Sequence, residues 1–245
     1  MATTVSFDGV DATDVTVAST TSLTCTVPAG VAAGAADVVV ATSGDSVTVT
    51  DGYTYQPPAP ALSQVLPGTI RPGAVALVLG TGANGAGVAH VGATNVTVSA
   101  SIPKNGGFSL GSSATTPLTI GTTYDVSFTN ASGQDSNVLA GALEVVDAAT
   151  LPAVAAITAV APASVARGGT VTLTGTGFVA GDTGVALVSS TNASTYLAPA
   201  TVSATSVTFV VPAGTATGST RVYVYTPNGV SNVSALPTYP LQVTA

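Results

Sequence analysis

Two stretches of the chain alternate apolar and polar residues in nearly the same way. Residues 21–30 read Thr-Ser-Leu-Thr-Cys-Thr-Val-Pro-Ala-Gly, and residues 205–214 read Thr-Ser-Val-Thr-Phe-Val-Val-Pro-Ala-Gly. Alternation with a period of two is typical of a half-buried β-strand, and Pro-Ala-Gly ends each strand in a turn. The next run repeats at the same spacing, with Gly34, Val38 and Val40 matching Gly218, Val222 and Val224. The pattern predicts a chain of repeated β-sandwiches of roughly 100 residues each.

Similar runs predict strands along the whole chain, with Gly-rich or Pro-rich turns between them. The main predicted strands are 3–7, 14–19, 22–27, 36–42, 46–55, 74–79, 88–91, 95–102, 117–120, 123–130, 142–146, 170–174, 205–211, 220–226 and 241–244. Gln56-Pro-Pro-Ala-Pro60 is predicted to be a stiff linker, because proline fixes φ. A second repeat matches Pro67 with Pro162 and residues 80–82 with 175–177. These boundaries predict three domains: residues 1–58, 59–150 and 151–245.

Composition supports an all-β fold and narrows the choice of partners. Charged residues make up 6% of the chain, against roughly 25% in typical domains. Lys, Glu and Gln are scarce, whereas Val and Thr suit pleated sheets. Four basic residues against eleven acidic ones give a net charge of −7, which argues against nucleic acid and anionic membranes as partners. A surface this poor in charge favours proteins that pack against neighbours in an assembly.

The sequence contains no predicted membrane span and no predicted signal peptide. Its most apolar stretch, residues 138–160, is interrupted by Gly141, Glu144, Asp147 and Pro152. The start, Met-Ala-Thr-Thr-Val-Ser-Phe-Asp, lacks both a basic segment and an apolar core. The single cysteine, Cys25, excludes an internal disulfide and is predicted to be a small core residue in phase with Leu23 and Val27.

The last part of the chain resembles a known family. Its motifs are Pro162, Gly168-Gly169-Thr170, Thr174-Gly175-Thr176-Gly177-Phe178 and Val211-Pro212-Ala213-Gly214. This set resembles the IPT/TIG group of immunoglobulin-like domains. The resemblance covers residues 151–245 well, residues 59–150 partly, and residues 1–58 only from their third strand onward. It implies an all-β chain of tandem immunoglobulin-like sandwiches with an incomplete first one, and it is weak evidence for function because such modules serve as spacers, adhesins and interaction domains.

Residues 1–58 lack the Gly-Gly-Thr and Gly-Thr-Gly-Phe half of the pattern. A sandwich without its first two strands has a short sheet and an uncovered apolar face, which favours pairing with another chain. Two interpretations remain open at this point. Residues 1–58 close as a reduced sandwich, or a neighbouring subunit or partner protein covers the open side by strand complementation.

Two motifs imitate catalytic or cofactor sites. Residues 80–85 fit G-x-G-x-x-G, but the following Ala-Gly-Val-Ala-His-Val-Gly predicts no helix that could face a pyrophosphate. Residues 107–111 fit G-x-S-x-G, but the only histidine, His90, lies upstream, and Ser-Ser-Ala-Thr-Thr-Pro after the motif is predicted not to be helical. We therefore interpret the first as a turn and the second as a hairpin tip.

Other candidate residues are weaker still. Asp8, Asp11 and Asp14 lack the spacing of a calcium loop, and Glu144 with Asp147 offers no cleft for glycoside hydrolysis. Four glycosylation sequons are interpreted as chance matches; they begin at Asn95, Asn130, Asn192 and Asn232. Three aromatic residues, Tyr196, Tyr223 and Tyr225, are possible contact residues, although packing on a strand face is favoured. The sequence thus predicts no catalytic, metal or cofactor-binding residue, and no cofactor.

The resulting prediction is a non-enzymatic, multicopy structural protein. Tandem immunoglobulin-like domains without a secretion signal fit a bacteriophage virion, whose proteins fold in the cytoplasm and act outside. A capsid decoration or head-fibre protein is the main prediction, with self-association or another virion protein as partner. The alternative is a bacterial cell-surface adhesin, or an extracellular spacer or carbohydrate-binding module.

Overall fold

The chain folds into two compact units made almost entirely of β-strands. The computed structural model describes residues 3–29, 33–83, 86–98, 104–231 and 237–245. The N-terminal unit is Met1–Pro58, and the C-terminal unit is Ala59–Ala245. The predicted all-β class is confirmed. Among the described residues, no helix is long and apolar enough to cross a bilayer.

The N-terminal unit contains two sheets. Its strands are β1 (Thr4–Phe7), β2 (Val10–Asp11), β3 (Thr13–Ser19), β4 (Ser22–Thr26), β5 (Gly34–Ala41) and β6 (Ser46–Tyr55). One sheet has the order β2-β1-β5-β6, and the other is the β3-β4 hairpin. Asp8 and Gly9 turn the chain between β1 and β2 with φ of 46° and 79°, as Asp-Gly hairpin turns require.

The core of the N-terminal unit is small. Among the described residues of this unit, the buried apolar ones are Val5, Phe7 and Ala36. The ring of Tyr53 packs edge-on against Phe7 with centroids 5.3 Å apart, and Tyr55 packs on Tyr53 at 5.0 Å. The Tyr55 hydroxyl donates to the Pro28 carbonyl at 3.1 Å, which ties the end of β6 to the segment after β4.

The first half of the C-terminal unit is a sandwich, called here the middle sandwich. Its elements are β7 (Ala61–Leu66), β8 (Thr69–Ile70), β9 (Ala76–Thr81), β10 (Gly87–Val91), β11 (Thr94–Val98), β12 (Lys104–Asn105), β13 (Gly107–Leu110), α1 (Ser112–Thr115), β14 (Thr122–Asn130) and β15 (Leu139–Val145). The sheet β11-β10-β14-β15-β8 faces the sheet β13-β9-β7 across one apolar core. Phe108 and Phe128 meet in this core with ring centroids 5.0 Å apart.

The second half is called the last sandwich and has its own apolar core. Its strands are β16 (Ala156–Ala161), β17 (Ser164–Ala166), β18 (Thr170–Thr176), β19 (Gly184–Ser189), β20 (Ser194–Leu197), β21 (Thr201–Ser203), β22 (Ser206–Val210), β23 (Gly218–Thr226), β24 (Gly229–Val230) and β25 (Leu241–Thr244). One sheet has the order β16-β18-β22-β21, and the other β20-β19-β23-β25-β17, with β24 on β23. Strand β12 of the middle sandwich extends the second sheet by pairing with β20.

Three local predictions are wrong. Residues 117–120 form no strand, because the chain turns there after the single helical turn α1. That turn, Ser112–Thr115, lies where no helix was predicted, and Thr115 is held in it by donating to the carbonyl of Ala74 at 2.7 Å. Cys25 is half-buried instead of belonging to the core. Part of the predicted strand 95–102 lies outside the described residues, as do Gly30 and Gly85 of the motifs.

Candidate functional site

The two sandwiches of the C-terminal unit place their first strands in the same way. In the middle sandwich β7 pairs with β9, and β9 pairs with β13 on its other side. In the last sandwich β16 pairs with β18, and β18 pairs with β22. A short strand, β8 or β17, then runs parallel to the final strand, β15 or β25, of the opposite sheet. The first strands therefore complete both sheets of each sandwich.

Residues 3–29 and 33–58 of the N-terminal unit contain no counterparts of these first strands. Strand β4 matches β22 in sequence, yet β3 is its single partner among the described residues. The last strand, β6, likewise pairs with β5 alone in that part of the chain. The edge of β4 that faces away from β3 is called here the open edge. Strand β18 covers the equivalent edge of β22 in the last sandwich.

Side chains on β4 show the effect of the open edge. Leu23, Cys25 and Val27 are half-buried. Their counterparts Val207, Phe209 and Val211 are each 0% exposed in the last sandwich. Since the sequences match, the missing neighbouring strand accounts for the difference in burial.

A row of valines on β5 and β6 is also incompletely covered. Strand pairing places Val47 beside Val40 and Val49 beside Val38, on the same face as the buried Val5 and Phe7. We call the four partly exposed valines, Val38, Val40, Val47 and Val49, the open face. Val47 is 64% exposed and Val49 53%. Val222 and Val224, the counterparts of Val38 and Val40, are at most 1% exposed.

A cleft of about 350 Å³ lies between the β3-β4 hairpin and the larger sheet, at the end where the hairpin turns. Its apolar lining comes from Val17 and Leu23 on the hairpin and from Val40 on the larger sheet. Ser and Thr residues of the β3-β4 turn form its rim. The cleft therefore has an apolar lining and a rim rich in hydroxyl groups. Its lining residues include no group suited to acid–base chemistry.

Three acidic residues of the N-terminal unit serve local backbone geometry. One oxygen of the Asp8 carboxylate accepts from the Asp37 N–H at 2.8 Å, and Asp37 accepts from the Asp51 N–H at 2.9 Å. Asp14 accepts from the Thr26 hydroxyl at 3.0 Å. Within the described ranges, no three His, Cys, Asp or Glu side chains come close enough to hold a metal ion.

Comparison with known proteins identifies one part of the chain. Residues 155–242 match the family model of the IPT/TIG domain. The resemblance derived from the motifs is confirmed for that part, and the sandwiches are immunoglobulin-like. No significant match is found among curated proteins.

Several solved structures are similar in fold at low sequence identity. A crystal structure with a xylogluco-oligosaccharide has a TM-score of 0.34 and 14% identity, over 93% of this chain and 52% of that one. The surface glycan-binding protein SGBP-B of Bacteroides ovatus, in complex with a mixed-linkage heptasaccharide, has a TM-score of 0.28 and 14% identity, over 99% of this chain and 59% of that one. Domains FN1–FN3 of chicken CNTN1 have a TM-score of 0.31 and 11% identity, over 95% and 88%. This chain spans between half and three fifths of the first two proteins, and these resemblances assign it no function.

The Gly-Thr-Gly motif of the IPT/TIG domain has a structural role. A Cβ on Gly175 would collide with the Ala156 carbonyl on β16, and Gly177 has a φ of 77°. In the middle sandwich, a Cβ on Gly80 would collide with the Ala61 carbonyl, and Gly82 has a φ of 67°. The first glycine of each pair thus lets two strands approach closely, and the second turns the chain.

The G-x-S-x-G motif lies on strand β13 rather than at a hairpin tip, so this interpretation is wrong in detail. Ser109 pairs with Leu77 in the ladder. His90 lies on β10, where its ring nitrogens are 2.8 Å from the Asn95 side-chain oxygen and 2.8 Å from the Thr129 hydroxyl. His90 and Ser109 therefore belong to opposite sheets of the middle sandwich. The sequon at Asn232 lies outside the described residues.

The three tyrosines lie where the middle sandwich meets the last sandwich. Tyr196 is buried against Leu66, Leu77, Leu79 and Ala186, and Tyr223 with Tyr225 packs on the same cluster. Burial raises the pKa of Tyr225 well above its ordinary value, and the neighbouring hydroxyls of Tyr196 and Tyr223 add to the shift. Sequence reasoning found these residues but did not show that they face another sandwich.

Polar contacts lock the same junction. The Asp182 carboxylate of the last sandwich accepts hydrogen bonds from the backbone N–H groups of Gly68 and Thr69 in the middle sandwich. The Arg71 guanidinium donates to the Asn228 side-chain oxygen at 3.0 Å and to its carbonyl at 3.1 Å. Because an apolar cluster, polar contacts and the β12-β20 pairing act together, the C-terminal unit forms one body.

Proposed function

We propose that this chain is a non-enzymatic structural and binding module of a protein displayed outside the cell. In this proposal the C-terminal unit is a spacer that keeps its two sandwiches in a fixed relation. The N-terminal unit is the docking part. The observation that carries the proposal is the open edge of β4 together with the open face, since uncovered strands and valines are typical of interaction surfaces.

Several features support a module without chemistry of its own. Acidic side chains of the N-terminal unit accept hydrogen bonds from backbone groups and hydroxyls, as structural residues do. The motifs that imitate catalytic sites lie on sheet strands and close strand contacts. A catalytic site needs a nucleophile and a base within hydrogen-bond reach of each other.

The second part of the proposal concerns where the protein is located. Both a virion and a cell surface use immunoglobulin-like spacers, so the fold alone does not separate them. One of the solved structures named above is the surface glycan-binding protein SGBP-B in complex with a mixed-linkage heptasaccharide. We therefore propose a surface or extracellular protein, and the bacteriophage assignment stays a prediction from the sequence.

Localisation tests this assignment directly. Antibodies against the chain should label intact source cells, and external protease should remove the signal. Mass spectrometry of purified phage particles is the opposing measurement. Finding the polypeptide in virions and not on cells would overturn the surface assignment and support the capsid prediction.

A measurement of glycan binding distinguishes a spacer function from a carbohydrate-binding function. Among the described residues, Tyr53 is the one aromatic ring more than about a third exposed, so a flat aromatic platform for sugars is not evident. We expect calorimetric titration with xyloglucan and mixed-linkage glucan oligosaccharides to give no saturable heat. Saturable binding that a Tyr53→Ala variant loses would instead assign a carbohydrate-binding module.

A further inference from the structure

One basic side chain, Arg221, has few hydrogen-bond acceptors around it. It is half-buried on β23 of the last sandwich. Its Nη2 donates to the Tyr239 hydroxyl at 2.9 Å, and its guanidinium carbon lies 4.9 Å from the centre of the Tyr239 ring. Within the described ranges, its Nε–H is buried and has no acceptor. A guanidinium has five N–H donors, so these contacts use only part of its hydrogen-bonding capacity.

The charge of Arg221 is not neutralised by a carboxylate in the described part of the chain. The groups that raise the pKa of Arg221 are the hydroxyl of Tyr239 and, after it, that of Tyr223. Arg71 and Arg167 differ, because each donates from Nε to an oxygen of the protein, at 3.0 Å and 2.8 Å. Arg221 is therefore the arginine with charge and donors left for a ligand.

We propose that Arg221 binds the carboxylate group of an acidic sugar, with the hydroxyls of Tyr223 and Tyr239 as flanking hydrogen-bond groups. The planar fork of a guanidinium matches the two oxygens of a carboxylate, and such charge-assisted pairs are among the stronger hydrogen bonds. The Tyr239 ring lies against the guanidinium and holds its plane in place. The site belongs to the unit proposed above as a spacer, and it adds a ligand contact to that role.

The surroundings of Arg221 favour a compact ligand over a peptide. A peptide that adds as a strand needs a free strand edge. Strand β23 is flanked by β19 on one side and by β25 and β24 on the other. Ser219, two residues before Arg221 and so on the same face, donates to the side-chain oxygen of Gln242 at 3.3 Å. Hydroxyl and amide groups of this kind suit the hydroxyls of a sugar.

The distribution of charge along the chain permits an anion at this site. All four basic residues belong to the C-terminal unit, which contains five of the eleven acidic ones. The C-terminal unit is thus nearly neutral, whereas the ionisable charges of residues 1–58 are all acidic. At physiological salt, exposed charges are screened over about 8 Å, so the direct pairing with Arg221 dominates the interaction with an anionic ligand.

The three arginines of the chain provide an internal comparison by NMR. In the isotope-labelled full chain, each arginine gives one Nε–H signal, and the three single Arg→Gln variants assign these signals. Titration with trigalacturonate should shift the Arg221 signal saturably. The signals of Arg71 and Arg167 should stay in place, because their Nε–H groups already donate within the protein. Fully methyl-esterified trigalacturonate is the matched control: it keeps the sugar rings without the charge and should shift none of the signals.

Calorimetry of single variants measures the contribution of the arginine. Arg221→Gln should weaken trigalacturonate binding at least about tenfold, because the charge-assisted pair is lost. Arg167→Gln is the matched control, since it changes the net charge equally and should leave the affinity unchanged. Arg221→Lys keeps the charge without the planar fork and should retain only part of the affinity. Circular dichroism of each variant verifies that it is folded.

The outcomes decide between ligands. No saturable shift of the Arg221 signal, or equal weakening by Arg221→Gln and Arg167→Gln, would overturn the proposal. Equal shifts with the esterified trisaccharide would refute the role of the carboxylate. Tighter binding of a peptide of alternating Gly and Asp would overturn the sugar assignment and identify an acidic protein segment as the ligand. The surface localisation is measured on cells and does not depend on any of these results.

Discussion

At the scale of single residues, glycines decide how closely strands approach. Gly80 and Gly175 occupy matching positions, and each lies against the carbonyl of the strand beside it. In both sandwiches the requirement comes from backbone packing rather than from a ligand. A motif that resembles a phosphate-binding loop is therefore explained by contact between two strands.

Gly80→Ala should destabilise the C-terminal unit strongly. The new methyl group would collide with the Ala61 carbonyl and would lie 2.9 Å from the Leu62 Cα. We expect the free energy of unfolding to fall by about 2 kcal/mol or more in a urea titration. Gly111→Ala is the matched control, because a Cβ there meets nothing within 4 Å. Equal effects of the two substitutions would contradict the explanation.

Tyr225 makes stability depend on alkaline pH. Its pKa is raised in the folded chain, mainly by burial, whereas an unfolded tyrosine ionises near pH 10. Above about pH 10 the unfolded chain therefore binds fewer protons than the folded chain, and the free energy of unfolding falls as pH rises. This contribution is fully present below about pH 10. Urea titrations at a series of pH values check it, and Tyr225→Phe should reduce the slope; an unchanged slope would refute the assignment to Tyr225.

At the scale of elements, two strands with the same sequence pattern lie in different environments. Strands β4 and β22 share their alternation, but β22 has a paired strand on both sides, whereas β4 has one on a single side in the described part of the chain. Backbone groups at an unpaired edge are open to solvent or to another chain. The difference in burial between Leu23 and Val207 therefore reports the neighbouring strand rather than the residue type.

Hydrogen exchange should distinguish these two strands. Amides of β4 should exchange at least about tenfold faster than those of β22, because they belong to a two-stranded sheet over a small core. Mass spectrometry of peptides covering residues 21–27 and 205–211 measures this. Equal protection of both strands would mean that the open edge is covered.

At the scale of the whole molecule, the junction between the middle and last sandwiches determines how the C-terminal unit behaves. Asp182 bridges them through the N–H groups of Gly68 and Thr69. A hydrogen bond to a charged acceptor contributes more stabilising free energy than a hydrogen bond between neutral groups. The junction therefore has a polar part whose removal leaves both apolar cores intact.

Asp182→Ala should loosen the junction. We expect a loss of about 1–3 kcal/mol in the free energy of unfolding, because two backbone donors lose their acceptor. Exchange of the Gly68 and Thr69 amides should accelerate as well. Asp135→Ala is the control, since Asp135 accepts from Thr129 within the middle sandwich and should leave those two amides protected. Unchanged exchange after Asp182→Ala would show that the other contacts of the junction hold it without Asp182.

The sequence by itself determined the strand-rich class, the repeats and the incompleteness of residues 1–58. Alternation, Gly-Thr-Gly and Val-Pro-Ala-Gly are local signals, and strand formation depends mostly on local pattern and composition. The predicted strand 46–55 agrees with β6. The strand predicted at residues 117–120 does not form, because the residues before it make a helical turn that is held by the hydrogen bond from Thr115 to the Ala74 carbonyl. Whether the predicted boundaries at residues 58 and 150 separate three domains stays a prediction.

Only the tertiary structure decided which matched residues are covered. Cys25 and Phe209 stand at equivalent positions, but their burial depends on whether a strand distant in sequence pairs beside them. The same holds for Tyr196, Tyr223 and Tyr225, whose faces meet a second sandwich. Burial is a property of the neighbours that folding assembles, and a local pattern does not contain them.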